Sequence, residues 1–381
     1  MEFAWSAEQL ALRQTIVEFA QRELNEDTIR RDREGAFNRH GWELCAQVGI
    51  QGLPLPEEYG GGGADPLTTC FVLEGLGYGC RDNGLLFSLN AHMWACEIPV
   101  WKYASLELRR RYLPKLISGE WIGAHAMSEP QSGSDAYSLQ ARAERRGDHY
   151  VLNGTKTFSS NAPVADLFVV FATVDRSLGH MGVTGFLIEK GTPGLSVGPH
   201  AEKMGLRTSP MSDVILEDCR VPAENVLGGE GQGAKVFNTV MEWERTCILA
   251  STLGALQREL ERCVQYAKTR RQFNRPIGKF QDVAHKIVDM HVRLEAARLL
   301  LYKAAWLLGQ GQPAVTAAAI AKLFASQAAI QSGLDAIQIH GGYGYMTELE
   351  LERQLRDAVG STLYSGTSEI QRVLIAASLG L

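Results

Sequence analysis

The chain of 381 residues has no Cys-x-x-Cys pair. Its seven cysteines, at positions 45, 70, 80, 96, 219, 247 and 263, are odd in number and scattered. That excludes a disulfide framework or a cysteine-rich metal centre, and predicts reduced, mostly buried thiols in a cytoplasmic protein. No apolar run approaches the ~18–20 residues of a bilayer span, so no membrane segment is expected. The first twenty residues carry Glu2, Glu8, Arg13 and Glu18 among their apolar positions, which suits neither a secretory nor a transit peptide. Net charge is −5 and neither sign forms a long block, so nucleic acid is not the expected partner. A Walker sequence, a Gly-x-Ser-x-Gly elbow and an His-Glu-x-x-His pair are all missing. His285 and Asp289 stand four apart but have no third ligand, so no metal site is expected.

What is present divides into three. With 45% hydrophobic residues the chain can build two or three cores. Residues 1–118 read as helices. Ser6 and Gln9 form a capping box for a first helix with Leu12, Ile16, Phe19 and Ala20 on one face, and Asp65-Pro66 starts another after the glycine loop 60–63. Residues 119–228 hold short β-rich runs, His149–Leu152, Leu167–Thr173, Thr184–Ile188 and Val214–Leu216, separated by turn signals that include Asn153-Gly154. Residues 229–381 return to helical periodicity, with Val283, Ile287, Met290, Leu294, Ala297 and Leu301 on one face. The order implies an α+β chain: an N-terminal α-helical domain, a middle antiparallel β-domain and a C-terminal four-helix bundle.

Three glycine-bearing segments stand out. Gly229-Glu-Gly-Gln-Gly-Ala234 superficially matches a dinucleotide fingerprint but lacks a βαβ unit, so it reads as a linker into a helix. The run Ala126–Ser138 is rich in small residues whose N–H and hydroxyl groups suit a flat polar ring; alone it is equally a loop. The run Gln338–Tyr345 permits close backbone approach by a ligand, or is simply a helix C-cap and turn.

Together with Arg270-Arg271-Gln272-Phe273 and the terminal Tyr364-Ser365-Gly366-Thr367-Ser368, these two last segments resemble the acyl-CoA dehydrogenase family in order and spacing over essentially the whole chain. The resemblance implies that family's fold and FAD as cofactor. Carried over by position, Met127, Ser128, Gly133 and Ser134 correspond to the loop that bonds the flavin, Ser134 also touching substrate. Phe158, Ser159 and Ser160 correspond to a stretch covering the isoalloxazine ring, with Phe158 in place of the usual Trp. Arg270, Phe273, Gln281, Gln338, Ile339, His340, Gly341 and Gly342 correspond to contacts with the pyrophosphate and adenine, some made to a neighbouring subunit, which implies a homotetramer. Thr367 and Glu369 correspond to cofactor contacts at the last helix, where Ser368 and Gln371 also form a capping box.

The family reaction removes an α-proton from an acyl thioester as hydride leaves the β-carbon for flavin N5. It requires a carboxylate near the α-carbon and donors on the thioester oxygen. Many members place a Glu after the Tyr of the terminal segment; here that position is Ser365. A hydroxyl is far too weak a base. A subset of isovaleryl type carries its Glu on a neighbouring helix, just before an Arg, and Glu244-Arg245 stands at the matching place. Glu244 is therefore the expected base, Arg245, Ser365 and Gly366 the expected substrate contacts, and Glu242 a rival pointing to another helix face.

The segment 242–247 with the Tyr-Ser-Gly-Thr-Ser-Glu end is most similar to members that oxidise prolyl groups on carrier proteins in secondary-metabolite and antibiotic biosynthesis. The alternatives are a short- or branched-chain acyl-CoA dehydrogenase and a catalytically silent thioester- or carrier-binding protein. Expected partners are a carrier- or CoA-bound thioester and an electron acceptor, either an electron-transfer flavoprotein or oxygen.

Overall fold

The computed structural model describes residues 4–381; residues 1–3, at the start of the expected first domain, lie outside the described residues. Ser6 caps the helix Ala7–Glu23 with the full capping box to Gln9. Ile16, Phe19 and Ala20 are buried, whereas Leu12 stays exposed because burial of this helix starts only at Ile16. Asp65 caps the helix Pro66–Gly79, with the proline at its first position, where no N–H is needed. Asn83–His92 and Ile98–Tyr103 are two α-helical stretches joined by the π-turn Met93–Glu97, in which the Ile98 N–H reaches back to the Met93 carbonyl. Pro99 follows directly, lacking the N–H that would continue an α-ladder, and the wider turn absorbs that loss.

The middle of the chain is one sheet. Its strands are β1 (Gly123–Ala126), β2 (Arg142–Arg146), β3 (His149–Ser160), β4 (Leu167–Thr173), β5 (Val183–Glu189), β6 (Leu195–Val197), β7 (Met211–Pro222) and β8 (Val226–Leu227), in the order β6-β7-β3-β2-β4-β5-β8. Most pairings are antiparallel, as the short runs predict. β1 and β2 both meet β4 in parallel, so the sheet is mixed. All seven residues of β4 are buried. Asn153-Gly154 is not the expected turn: it lies inside β3 as a bulge opposite β7, and a Cβ on Gly154 would come within 2.6 Å of Ala141. The hairpin turn is instead Gly147-Asp148, between the paired Arg146 and His149.

Four principal helices, Gly233–Cys247, Ala250–Thr269, Gln281–Gly309 and Val315–His340, build the last part, followed by Leu351–Gly360 and Ser368–Ser378. The seven cysteines are free and buried. Among the described residues no group of His, Cys, Asp and Glu could hold a metal ion, and no helix is long and apolar enough to cross a membrane.

Two contacts lock these parts around one cavity. The Asn161 amide bridges the carbonyls of Ser88 and Gly123, tying the first helical part to the sheet. Buried Glu74 accepts from Arg298 and Tyr302 across to the bundle. Beside Glu74 the helices Pro66–Gly79 and Ala250–Thr269 cross backbone to backbone. A Cβ on Gly77 would lie 1.9 Å from the Ser251 oxygen, and one on Gly254 the same distance from the Glu74 oxygen. Gly254→Ala is therefore expected to destabilise the fold by roughly 1–3 kcal/mol, the cost of overpacking. A lower thermal midpoint checks this; an unchanged midpoint would mean the helices separate freely.

Candidate active site

A cavity of about 660 Å³ opens where the sheet, the π-turn helix, the helix Gly233–Cys247 and the terminal segment meet. Its volume suits a small-molecule site. Of the residues singled out from the sequence, it gathers Met127, Ser128, Gly133, Ser134, Phe158, Ser160, Glu244, Arg245, Ser365, Gly366 and Thr367.

The helix Gly233–Cys247 reaches the cavity with Phe237, Met241 and Glu244, one face by the i, i+4, i+7 rule. Glu242 lies roughly 200° round the helix from Glu244 at 3.6 residues per turn. Its Oε1 accepts the Ala314 N–H at 2.9 Å, so it is occupied as a link to the start of the helix Val315–His340. Glu244 accepts a hydrogen bond from the Ser365 hydroxyl. Burial raises its pKa, and the Ser365 hydrogen bond, Arg245 and Lys322 act the other way. A carboxylate that lines a cavity and has a raised pKa is a group equipped to take a proton.

The loop that leaves β1 lines the same cavity. Glu129, 4% exposed, pins it: its carboxylate accepts the N–H groups of Gln140 and Ala141 and pairs with Lys156 Nζ at 2.7 Å. Lys156 also donates to the Met127 carbonyl at 3.1 Å, and burial pushes its ammonium down to about 8. Next along β3, Thr157 N–H donates to the Ser128 carbonyl, and a register shift leaves Phe158 at φ +56° and 70% exposed. Ser159 turns inward, buried, and does not line the cavity.

These features fit a flat cofactor. The Ser128 and Ser134 side chains make no hydrogen bond to the described residues. A Cβ added to Gly133 would meet nothing within 4 Å, so no neighbour in the chain requires glycine there, whereas a ligand approaching the backbone would. An aromatic ring held open in a left-handed backbone conformation also calls for a partner.

The remaining expected cofactor residues are elsewhere. Arg270, Phe273, Gln281, Gln338, Gly341 and Gly342 are exposed and away from the cavity. Arg270 stands over the Tyr343 ring at 5.8 Å, and His340 stacks on Tyr266 at 4.2 Å. His340 and Ile339 are buried, leaving mainly backbone there for a ligand. Glu369 is exposed in the first turn of the last helix. The cap of that helix is Thr367, whose hydroxyl accepts the Ile370 N–H, rather than the Ser368–Gln371 box; Gln371 donates instead to the carbonyls of Ser365 and Gly366.

Sequence reasoning missed Phe87, Ala91 and Ala95, His125 and Tyr364 as cavity walls. The Phe237–Met241–Glu244 periodicity was available as a signal, and Pro99 marks an interrupted ladder, but no residue in that stretch shows that the wider turn aims Ala95 at the cavity. His125 is neutral, its pKa lowered to about 4 by burial, and its Nε2 has no partner among the described residues.

Models of the acyl-CoA dehydrogenase N-terminal, middle and C-terminal domains match residues 6–120, 124–219 and 231–380. The chain is 44% identical over 346 residues, 91% of each protein, to an L-prolyl-[peptidyl-carrier protein] dehydrogenase of Pseudomonas fluorescens. It superposes with a TM-score of 0.98 on the prolyl acyl carrier protein oxidase AnaB, 51% identical, over 99% of this chain and 100% of that one. The same score relates it to a structure described as PigA with FAD and proline, 42% identical over the full length of both.

Removing the Lys156 partner leaves a carboxylate buried without its cation. Lys156→Met is expected to cost roughly 3–5 kcal/mol, and Lys156→Met with Glu129→Gln markedly less. Chemical unfolding of wild type and the two variants checks this; equal losses in the single and double variants would deny the pairing.

Proposed function

Because the chain belongs to the acyl-CoA dehydrogenase family, we propose that it is an FAD-dependent dehydrogenase of a prolyl group carried as a thioester on a peptidyl carrier protein, with Glu244 as base. The observation that carries this reading is the meeting of Glu244 and Ser365 on one cavity wall, with Glu242 tied up elsewhere. The names of the relatives supply the carrier-bound prolyl group.

Ser128, Gly133, Ser134, Phe158, Ser160 and Thr367 would hold the flavin at the cavity, with Met127 and Ser159 presenting backbone. When bound, the flavin supplies the two-electron acceptor of the dehydrogenation. Arg270, Phe273, Gln281, Gln338, Gly341 and Gly342, exposed and not lining the cavity, serve a neighbouring copy's cofactor together with the backbone of Ile339 and His340, which is the basis for a homotetramer. Glu369 would complete the contacts at the last helix.

Glu244 takes the α-proton, which the thioester carbonyl acidifies. The Ser365 N–H, which has no backbone acceptor among the described residues, donates to the thioester oxygen as negative charge gathers there. Arg245 holds the loop by donating Nε to the Ser365 carbonyl at 2.9 Å. Phe87 packs on Tyr364 with centroids 4.7 Å apart and the rings tilted by 47°, giving the wall an apolar corner that suits a small ring. A further round of oxidation leads toward a pyrrole-2-carboxyl thioester, a building block of secondary metabolites.

The test mixes oxidised enzyme anaerobically with prolyl-loaded carrier protein and, separately, with isovaleryl-CoA. Flavin bleaching by the carrier substrate alone is expected. Bleaching by isovaleryl-CoA would point to the branched-chain reading, and none by any thioester to a silent binding protein. Reoxidation by air, against reoxidation by an electron-transfer flavoprotein, identifies the acceptor. Glu244→Gln should keep FAD and slow reduction by roughly a hundredfold or more.

The pH dependence follows in sign. Reduction needs Glu244 ionised, and burial raises its pKa, so the rate falls on acidification at a pH above the ordinary carboxylate range. The Ser365 hydroxyl favours the ionised form, so Ser365→Ala should move that limb to higher pH. A limb that stays in place would show that the hydroxyl is not bonded to the base in the working enzyme.

A further inference from the structure

Lys322, in the middle of the helix Val315–His340, is 1% exposed, yet among the described residues it has no carboxylate partner. Its ammonium donates to the Gly366 carbonyl at 2.7 Å and lies 5.8 Å from the centre of the Tyr364 ring. A buried lysine with one neutral carbonyl as its hydrogen-bond acceptor and no direct ion pair is costly, and a methionine would fill the space without that cost. Gln371, fully buried, has the same target: its Nε2 donates to the carbonyls of Ser365 at 3.1 Å and Gly366 at 2.8 Å. Arg245 takes the Ser365 oxygen from a third side. Two consecutive carbonyls are thus held by three side chains from three helices. The turn they hold is unusual in itself, with Ser365 at φ +56° and Gly366 at φ +86°. A conformation that L residues avoid persists only where the surroundings over-determine it.

We propose that Lys322 and Gln371 are positioning residues for the dehydrogenation, clamping the two carbonyls of the Ser365–Gly366 turn so that the turn presents Ser365 to the thioester and to Glu244. Because each peptide is planar and trans, fixing the Ser365 oxygen fixes the Gly366 N–H on the opposite side, and fixing the Gly366 oxygen does the same for the Thr367 N–H. Neither N–H has a backbone acceptor among the described residues, and all three residues line the cavity. Lys322 has a second effect that Gln371 lacks. Its positive charge favours the ionised form of Glu244. The other groups facing Glu244 are Arg245 on its own helix, Ser365 and Tyr364 on the terminal segment, and Cys96 on the π-turn. This inference rests on the reading of the site as a thioester dehydrogenase.

The experiment compares wild type, Lys322→Met and Gln371→Met in anaerobic single turnovers with prolyl-loaded carrier protein, across pH, after confirming flavin content. Both variants are expected to bind substrate as wild type does and to reduce the flavin roughly tenfold to a hundredfold more slowly, short of the loss from deleting a direct oxyanion donor. Lys322→Met should in addition move the acid limb to higher pH, while Gln371→Met leaves it in place. If Lys322→Met does not fold, Gln371→Met carries the test. Flavin-loaded variants that reduce at the wild-type rate, beside a wild type that works, overturn the clamp alone. A wild type that no thioester reduces overturns the functional reading, and the clamp's role with it.

Discussion

Glu244 is a carboxylate half-withdrawn from water at a cavity wall, and a group in that position is stable only if its surroundings make up for lost hydration. The Ser365 hydroxyl, Arg245 and Lys322 do so, and they come from the terminal segment, the same helix and the long helix Val315–His340. The compensation is incomplete, since burial still raises the pKa. That imbalance is useful. A fully compensated carboxylate would be a poor proton acceptor, and an uncompensated one would be protonated before the substrate arrived.

The loop leaving β1 follows another logic. Glu129 and Lys156 are also a buried pair, but a closed one: each carboxylate oxygen accepts a backbone N–H or the ammonium, and nothing is left for a substrate. Its consequence is geometric. It ties the loop leaving β1 to β3 directly before the bulge that opens the Phe158 ring to the cavity. The Glu129–Lys156 pair is thus neutralised and sits behind the lining, whereas Glu244 faces the cavity.

The fold is legible wherever the determining chemistry is local. The Ser6–Gln9 box and the Asp65-Pro66 start depend on residues within one turn, and both appear as expected. Asn153-Gly154 carries the usual hairpin signal, but the glycine is there because Ala141 passes close by, a contact that no window around residue 154 contains. The site divides in the same way. Glu244 could be picked out because Arg245 follows it and Ser365 replaces the usual carboxylate. Lys322 could not: it looks like any lysine in an alanine-rich helix, and its partner Gly366 lies 44 residues away. Ser368 and Gln371 have the spacing of a capping box, yet Thr367, one residue earlier, accepts the bond, and Gln371 is drawn to the turn.

The contact between Ser365 and Glu244 also bears on why one position carries a carboxylate and the other does not. Their side chains touch, so a carboxylate at 365 would sit against the one at 244 in the same poorly hydrated wall. Two like charges at that distance cannot both ionise, and one would stay protonated through neutral pH. With a hydroxyl at 365 the neighbour becomes a donor and lowers the pKa that the second carboxylate would have raised. The helix and the terminal turn are therefore two routes to the same point in space, and the chemistry of that point permits only one of them to bring an ionised carboxylate.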